Sequence, residues 1–212
     1  MSKTTEATQW DLDHFRLAQQ PGMWLMTAEG LLGAAALIYF SAAEQAGRYE
    51  IAETAAAERA QAAFASSADE VVVEAVDETE PRFLPAFMMY GFAIENLLKG
   101  IMVMRNPSLV NDERIGVPST HNLAHLAQQA GYTPTANETR LLDALSTITT
   151  WSGRYPVALN LREFSPVGID KEAAVRRHAE AHGATVILVE KLKALLATRA
   201  STVRGGAVVV WR

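Results

Sequence analysis

Residues 82–106 read RFLPAFMMYGFAIENLLKGIMVMRN, and this stretch decides the fold. Its apolar side chains recur at alternating four- and three-residue steps and form two adjoining stripes, which predicts a helix packed on several sides. Three polar residues, Glu95, Asn96 and Lys99, interrupt one side. The predicted helix ends at Asn106, because Pro107 disfavours helical backbone in the residue before it. A helix of this kind needs other helices to cover it.

The remaining apolar periodicity predicts five further helices, over about Glu6–Gln19, Met23–Gln45, His121–Gly131, Asn137–Trp151 and Asp170–Arg199. Proline, glycine and polar residues separate them. We therefore predict an all-α fold that forms a single domain over residues 1–212. In the second of these helices, glycines and alanines make one side thin. Either a neighbouring backbone approaches closely there, or the helix is simply rich in alanine, the residue of highest helix propensity.

Residues 47–81 differ in composition from the rest of the chain. They are rich in alanine and carry nine acidic residues against two arginines. We predict an acidic, Ala-rich helical insert or linker at the edge of the domain, since such a segment offers little core material. Val71–Val76 is β-branched but has no partner strand nearby, so its structure stays open. Residues 200–212 are predicted to form a flexible tail.

Composition excludes several classes of protein. The net charge of −5 argues against a protein that coats nucleic acid nonspecifically, because such binding needs clustered cations. The absence of cysteine removes disulfides and thiolate metal sites, and is compatible with a reducing compartment. The N-terminus has no basic segment leading into an apolar run, and the apolar window Met23–Phe40 contains Glu29. We expect a cytoplasmic protein without a membrane segment.

Glu95 and Lys99 stand four residues apart in the order that favours a helical ion pair. The simplest interpretation is a local pair worth a few tenths of a kcal/mol. However, a charged pair on a mostly apolar helix needs a partner group, a solvent cleft or a ligand to offset its desolvation. Both a structural and a ligand-binding role stay open.

The histidines include two pairs at helical i, i+4 spacing, His121 with His125 and His178 with His182. Such a pair can ligate a metal when further ligands join it. The glutamate of the metalloprotease motif is missing from both pairs, and no Glu-x-x-His of the di-iron bundles occurs. We predict no metal site and no cofactor, and interpret these residues as capping, core or surface histidines.

Arg154 follows the predicted end of a helix and precedes Tyr155. An arginine fork beside an aromatic ring can hold a phosphate or a base, whereas the alternative is an arginine that caps the carbonyls of the preceding helix. Both interpretations stay open. The phosphate-binding loop, the dinucleotide-binding glycine motif and the nucleophile-elbow motif are all absent, so the corresponding chemistries have no support.

The order of these motifs resembles the HEPN superfamily of all-helical domains. The resemblance covers about Met23–Arg199, with the acidic segment as an addition. It rests on three short motifs: the second-helix signature, the His-x-Leu segment and the RYP turn of one branch. The matching residues are Ala93, Glu95, Leu98 and Lys99; His121, Leu123 and Leu126; and Arg154, Tyr155 and Pro156.

The resemblance implies an up-and-down helical bundle, commonly a homodimer with a cleft between the protomers. HEPN domains occur in prokaryotic toxin–antitoxin and defence systems and beside nucleotidyltransferases, so a nucleotidyltransferase-type antitoxin is an implied partner. The implied activity is either metal-independent RNA cleavage or nucleotide binding.

The chain departs from the HEPN nucleases at one motif. Those enzymes carry an arginine followed after four to six residues by a histidine, but the positions at that distance from Arg154 hold Leu159, Asn160 and Leu161. Loss of the histidine removes the obvious proton-transfer group. We therefore expect a non-catalytic module that binds a nucleotide or an RNA-like anion.

In this expectation, Lys99 and Arg154 donate to phosphate, Tyr155 offers a stacking surface, and His121 forms a polar wall. Glu95 and Lys99 are expected to face Arg154 across a cleft or a buried network. One alternative is a ribonuclease in which His182 is the acid/base and Arg177 steadies the developing charge, since these two have the required spacing. Another is a structural bundle whose only role is to bind a partner.

Overall fold

The computed structural model describes residues 8–66, 76, 78–111, 114–152 and 171–200. Within these residues the chain forms six α-helices and no strand, so the predicted all-α helical bundle is confirmed. A 3-10 turn covers Pro107–Leu109 and a π-helical turn covers Ile148–Ser152. The α-helices are α1 (Gln9–Ala18), α2 (Pro21–Ser66), α3 (Leu84–Arg105), α4 (Leu123–Gln129), α5 (Ala136–Thr147) and α6 (Lys171–Ala200).

Helix α3 lies at the centre, as its two apolar stripes predict. Thirteen of its 22 residues are buried. The helix starts beside Pro85 in its first turn and ends at Asn106, whose backbone N–H donates to the carbonyl of Met102. Helices α2, α4, α5 and α6 all contact it. The organising role inferred from the sequence of residues 82–106 is therefore observed.

The long helices alternate in direction around α3. In α2, Trp24 packs beside Gly100 near the end of α3, whereas Tyr39 packs against Phe83 at its start, so these two helices are antiparallel. Helix α6 runs parallel to α3, because His178 stacks on Phe83 and Leu196 lies beside Gly100. Helices α3 and α6 therefore run in one direction and α2 runs in the other.

Helix α5 completes the alternation. Glu138, in its first turn, bonds Lys191 late in α6, while Thr149, just after its end, meets Gly91 in the first half of α3. Helix α5 is therefore antiparallel to both. In chain order, α2, α3, α5 and α6 run up, down, up and down.

Helix α2 continues to Ser66 instead of ending near Gln45. The residues after Gly47 are mostly alanine, glutamate and arginine, which have high helix propensity, and a single exposed glycine costs only about 1 kcal/mol relative to alanine. With 46 residues the helix is roughly 69 Å long, about twice the length of α3. Its second half therefore runs past the start of α3.

Two helices are long and apolar enough to cross a membrane by length and composition, Pro21–Ala65 and Leu84–Arg105. The apolar stretch of α3 is mostly buried in the bundle, which accounts for its composition. The apolar stretch of α2 is mostly exposed. The exposed apolar side of α2 therefore has no explanation in the described core.

The helix after the polar loop begins later than predicted. Its N-cap is Asn122, whose side chain accepts from the backbone N–H of His125, and its first residue is Leu123 rather than His121. His121 therefore precedes α4 and does not share a helix face with His125. The helix ends close to its predicted limit at Gly131, which adopts a φ of +66°. The guanidinium of Arg105 packs on it and donates to the carbonyl of Ala130.

The π-helical turn after α5 brings Thr149 against α3. Thr149 is fully buried, and its hydroxyl donates to the carbonyls of Leu145 and Ser146. Its methyl group occupies the position that a Cβ atom on Gly91 would need. A π-helical turn adds one residue to the turn. The close contact of this turn with α3 thus depends on a glycine at position 91.

Candidate functional site

The Glu95 cluster joins three side chains at one side of α3. Glu95 Oε1 accepts a hydrogen bond from Lys99 Nζ at 2.6 Å, and Glu95 Oε2 lies 2.8 Å from His121 Nδ1. The side chains of Glu95 and Lys99 are only 11% and 12% exposed, whereas that of His121 is 44% exposed. The cluster therefore reaches from the interior of the bundle to its surface at His121.

Local structure explains how His121 reaches Glu95. Asn122 caps α4 and fixes the turn that follows His121, and the backbone N–H of Leu123 donates to Ser146 Oγ. Leu123 is fully buried and anchors the start of α4 in the core. Phe92, one turn before Glu95, contacts the ring of His121 edge-on, with the centroids 6.0 Å apart. Two residues one turn apart on α3, Phe92 and Glu95, thus both contact the ring.

The hydrogen bond to Glu95 fixes the tautomer of His121 and leaves Nε2 as the nitrogen away from Glu95. A carboxylate only accepts, so Nδ1 carries the proton and donates to Glu95. Within the described part of the chain, Nε2 has no hydrogen-bond partner. The cluster of Glu95, Lys99 and a neutral His121 carries no net charge, and protonation at Nε2 makes it a cationic donor. The arrangement is suited to an acceptor such as a phosphate oxygen.

The structure brings together three of the predicted ligand-binding residues, Glu95, Lys99 and His121. Arg154 and Tyr155 lie outside the described residues, so the predicted approach of Arg154 to the cluster is not tested. Of the described members, only His121 is substantially exposed. Lys99 is bonded to Glu95 rather than aimed at solvent. A ligand at this site would therefore meet mainly the charge of Lys99.

His182, the acid/base of the ribonuclease alternative, lies on another side of α3 from the Glu95 cluster. His182 stacks on Tyr39 with centroids 3.9 Å apart and an interplanar angle of 8°, and its Nδ1 lies 3.1 Å from the hydroxyl of Tyr90. Tyr90 and Glu95 are separated by roughly 140° around α3. Arg177 is exposed. The pair of Arg177 and His182 is thus separate from the Glu95 cluster.

Burial sets the protonation of the α6 histidines. Desolvation lowers the pKa of His182 below its ordinary value, and it lowers the pKa of His178 with a further contribution from Arg177. His178 stacks on Phe83, with the centroids 4.6 Å apart. Both imidazoles therefore favour the neutral form. The tyrosine and phenylalanine partners were not predicted, although Phe83, Phe87 and Tyr90 belong to one apolar stripe of α3.

A further polar cluster surrounds Glu138. The carboxylate accepts from the hydroxyl of Tyr132 at 2.8 Å, from Lys191 at 2.8 Å and from the backbone N–H of Thr135 at 2.7 Å. Burial alone would raise the pKa of Glu138, but these hydrogen bonds outweigh it and lower the pKa to about 2. The capping-box spacing of Thr135 and Glu138 is the sequence signal for this cluster.

Among the described residues, no group of three or more metal-ligating side chains occurs. No family model, curated protein or solved structure matches the chain. The fold and the described site define an all-α helical bundle with a buried carboxylate that joins an ammonium group to an exposed imidazole. The HEPN resemblance stays a prediction from the sequence motifs.

Proposed function

We propose that this chain is a HEPN-like module that binds a nucleotide or an RNA-like anion without catalysing its cleavage. The observation that supports this proposal most directly is the Glu95 cluster, in which Glu95 holds Nδ1 of His121 at 2.8 Å and leaves the exposed ring edge for a ligand. Charged groups on a buried helix are costly unless they serve a bond network or a ligand. An anion bound at His121 would be a ligand that offsets the cost of burying these charges.

In the proposed complex, protonated His121 donates from Nε2 to a phosphate oxygen, because a charge-assisted hydrogen bond is shorter and stronger than a neutral one. Glu95 orients the ring by accepting a hydrogen bond from Nδ1. Lys99 keeps Glu95 in place and adds positive charge behind it. Arg154 supplies a guanidinium fork for phosphate, and Tyr155 supplies a stacking surface for a base, as the sequence resemblance implies.

The same proposal includes the biological setting that the resemblance implies. The chain acts in the cytoplasm as a homodimer, without a membrane, and belongs to a prokaryotic toxin–antitoxin or defence system. A nucleotidyltransferase-type antitoxin is the proposed protein partner. Co-expression with the neighbouring gene product, followed by affinity purification of the tagged chain, tests this part independently of ligand binding.

Binding of labelled single-stranded RNA and of adenine and guanine nucleotides tests the proposed site. Fluorescence anisotropy should show binding that His121→Ala weakens at least tenfold, because one charge-assisted hydrogen bond contributes about 1.5–3 kcal/mol. His125→Ala is the matched control, since His125 is exposed in the first turn of α4 and its side chain bonds only Gln129 among the described residues. Equal effects of the two substitutions would contradict the proposal.

A ribonuclease that uses Arg177 and His182 is the second candidate. The observation in its favour is that burial lowers the pKa of His182, which keeps the imidazole neutral and able to accept a proton. Purified protein incubated with mixed RNA, with and without a chelator, decides between the two. Cleavage abolished by His182→Ala but retained in His178→Ala and Arg154→Ala would favour the ribonuclease over the binding module.

If neither RNA nor nucleotide binds, the structural alternative is favoured. A ligand selective for the native state raises the melting temperature by mass action, so an unchanged melting temperature at millimolar nucleotide would indicate a bundle whose role is to bind a protein. In that case Glu95, Lys99 and His121 form an internal network only.

A further inference from the structure

An exposed stripe runs along the outer side of α2. It follows positions that alternate strictly between four- and three-residue steps, the spacing of a coiled-coil seam. We call these eight residues the α2 stripe: Met26, Gly30, Gly33, Leu37, Phe40, Glu44, Gly47 and Ile51. All eight are exposed, and the large apolar members range from 56% to 77% exposure. No described part of the chain covers this seam.

The glycines of the α2 stripe lower the stability of the helix in a monomer. A Cβ atom on Gly30, Gly33 or Gly47 would meet nothing within 4 Å. Glycine inside a helix destabilises it by about 1 kcal/mol relative to alanine. Three glycines in open space on one side of a helix therefore have no packing role in the monomer. They allow a close approach of another helix.

The stripe is nearly symmetrical about its centre in side-chain size. Reversing the direction of a second α2 and pairing positions 37 with 40 places glycine 30 opposite glycine 47 and Met26 opposite Ile51. The remaining layer puts Glu44 opposite Gly33, where the small residue leaves room for the carboxylate. Each layer occurs twice about a two-fold axis. Such self-complementarity is what an isologous contact between two copies requires.

The charges of the stripe also suit a second copy. Glu44 is its one charged member and is already paired with Arg48 of the same helix at 2.6 Å. In the antiparallel register Glu44 meets no like charge within the stripe. Helix α2 as a whole carries five glutamates and two arginines, so anionic lipid headgroups would repel it. A membrane is thus a poorer occupant than a protein.

The apolar surface continues from α2 onto α6. The ring of Phe40 lies 5.8 Å from that of His182, and Val186, one turn further along α6, is exposed. A surface roughly 38 Å long and two helices wide, about 20 Å, covers on the order of 750 Å² per copy. Two copies then bury roughly 1,500 Å², within the range of stable protein–protein interfaces.

We propose that the α2 stripe is the interface at which two copies of this chain associate antiparallel, with Leu37 of one copy against Phe40 of the other. This interface rests on the homodimer of the proposed function and goes beyond it, because it assigns dimerisation to the outer side of α2, away from the proposed ligand site. Dimerisation and ligand binding can be measured separately, so either proposal can fail without the other.

Sedimentation equilibrium at tens of micromolar protein tests the interface. The wild type should show twice the 23.1 kDa mass of one chain. Gly33→Leu should raise the dissociation constant at least a hundredfold, while circular dichroism shows undiminished helix content because the new side chain meets open space. Phe40→Glu should act likewise. The matched control is Phe64→Glu on the same helix, equally exposed but roughly 120° around it, which should leave the dimer intact.

Cross-linking tests the register, and the absence of cysteine from the chain provides a clean background. Met26→Cys mixed with Ile51→Cys should form a disulfide-linked dimer, whereas each variant alone should not. Cross-linking of Met26→Cys alone would overturn the antiparallel arrangement. A monomeric wild type at 100 µM would overturn the interface altogether, and binding to neutral phosphatidylcholine vesicles in place of self-association would assign the stripe to lipid instead.

Discussion

Glu95 and Lys99 form an ion pair, with 2.6 Å between carboxylate oxygen and ammonium nitrogen, on a helix whose neighbouring residues Ile94, Leu97 and Leu98 are fully buried. Glu44 and Arg48 form a pair with the same spacing and the same distance on the exposed side of α2. The two pairs differ in solvent exposure. They also differ in their cation, lysine in one pair and arginine in the other, and Glu95 has His121 as a further partner. Their comparison therefore shows the combined effect of burial and of this additional partner on an i, i+4 ion pair.

Removing one partner of the buried pair should destabilise the fold. Glu95→Gln leaves the charge of Lys99 without a counter-charge, which costs about 3 kcal/mol in the free energy of unfolding. Glu44→Gln, measured where the chain is monomeric, should cost less than about 1 kcal/mol, because exposed pairs are weak. Urea denaturation measures both. The double variant Glu95→Gln/Lys99→Met should recover much of the loss; equal losses for the buried and exposed pairs would contradict this account.

Adding a methyl group at position 91 should disturb the contact between α3 and the π-helical turn. Gly91→Ala places a Cβ atom on the methyl group of Thr149, and overpacking of this kind costs about 2 kcal/mol. Thermal or urea unfolding measures the loss. Thr149→Ser removes that methyl group but keeps the hydroxyl, so the double variant should be more stable than Gly91→Ala alone. A Gly91→Ala protein as stable as the wild type would show that this contact is loose.

The histidines of α6 should make stability depend on pH. Burial lowers the pKa of His178 and His182 below the ordinary value of 6.5. The unfolded chain therefore binds protons first as the pH falls, so stability is fully present above about pH 6.5 and declines below it. His178→Gln/His182→Gln should flatten this decline between about pH 7 and 5. Above about pH 8 the imidazoles are neutral in both states, and the two proteins should have parallel profiles.

Glu138 should contribute in a more acidic range. Its pKa falls to about 2 in the folded chain from an ordinary value of 4.5. A depressed carboxyl pKa contributes stability that is present above about pH 4.5 and is lost as the pH falls towards 2. Glu138→Gln should lower the free energy of unfolding at pH 7 by about 1–2 kcal/mol, because hydrogen bonds to a charged group are lost. Denaturation at stepped pH should show this difference shrinking between about pH 5 and 2; a constant difference would count against the charge of Glu138 as its source.

The sequence predicted the central helix well because its pattern is local. Apolar spacing, Pro107 and the polar interruption at Glu95 and Lys99 all lie within one stretch of chain, and each constrains the same helix. The course of α2 was less predictable. Gly47 and the acidic composition beyond it suggested a break, whereas the alanine content favours continuation, and tertiary contacts are needed to decide between such signals.

The candidate site was predictable only in part. The pairing of Glu95 with Lys99 follows from helical spacing, but the contact of Glu95 with His121 joins residues 26 apart and depends on how the turn before α4 packs. The sequence motifs associated these residues without fixing which atoms meet. The rings around His182 come from α2 and α3, and the sequence of α6 alone contains no signal for them.

The contact between Gly91 and Thr149 also has an evolutionary consequence. The methyl group of Thr149 fills the space that a side chain at position 91 would require, so position 91 can gain a side chain only when position 149 becomes smaller. Related sequences that carry alanine at position 91 should carry a smaller residue at position 149. The two positions should therefore covary, even though 58 positions separate them along the chain.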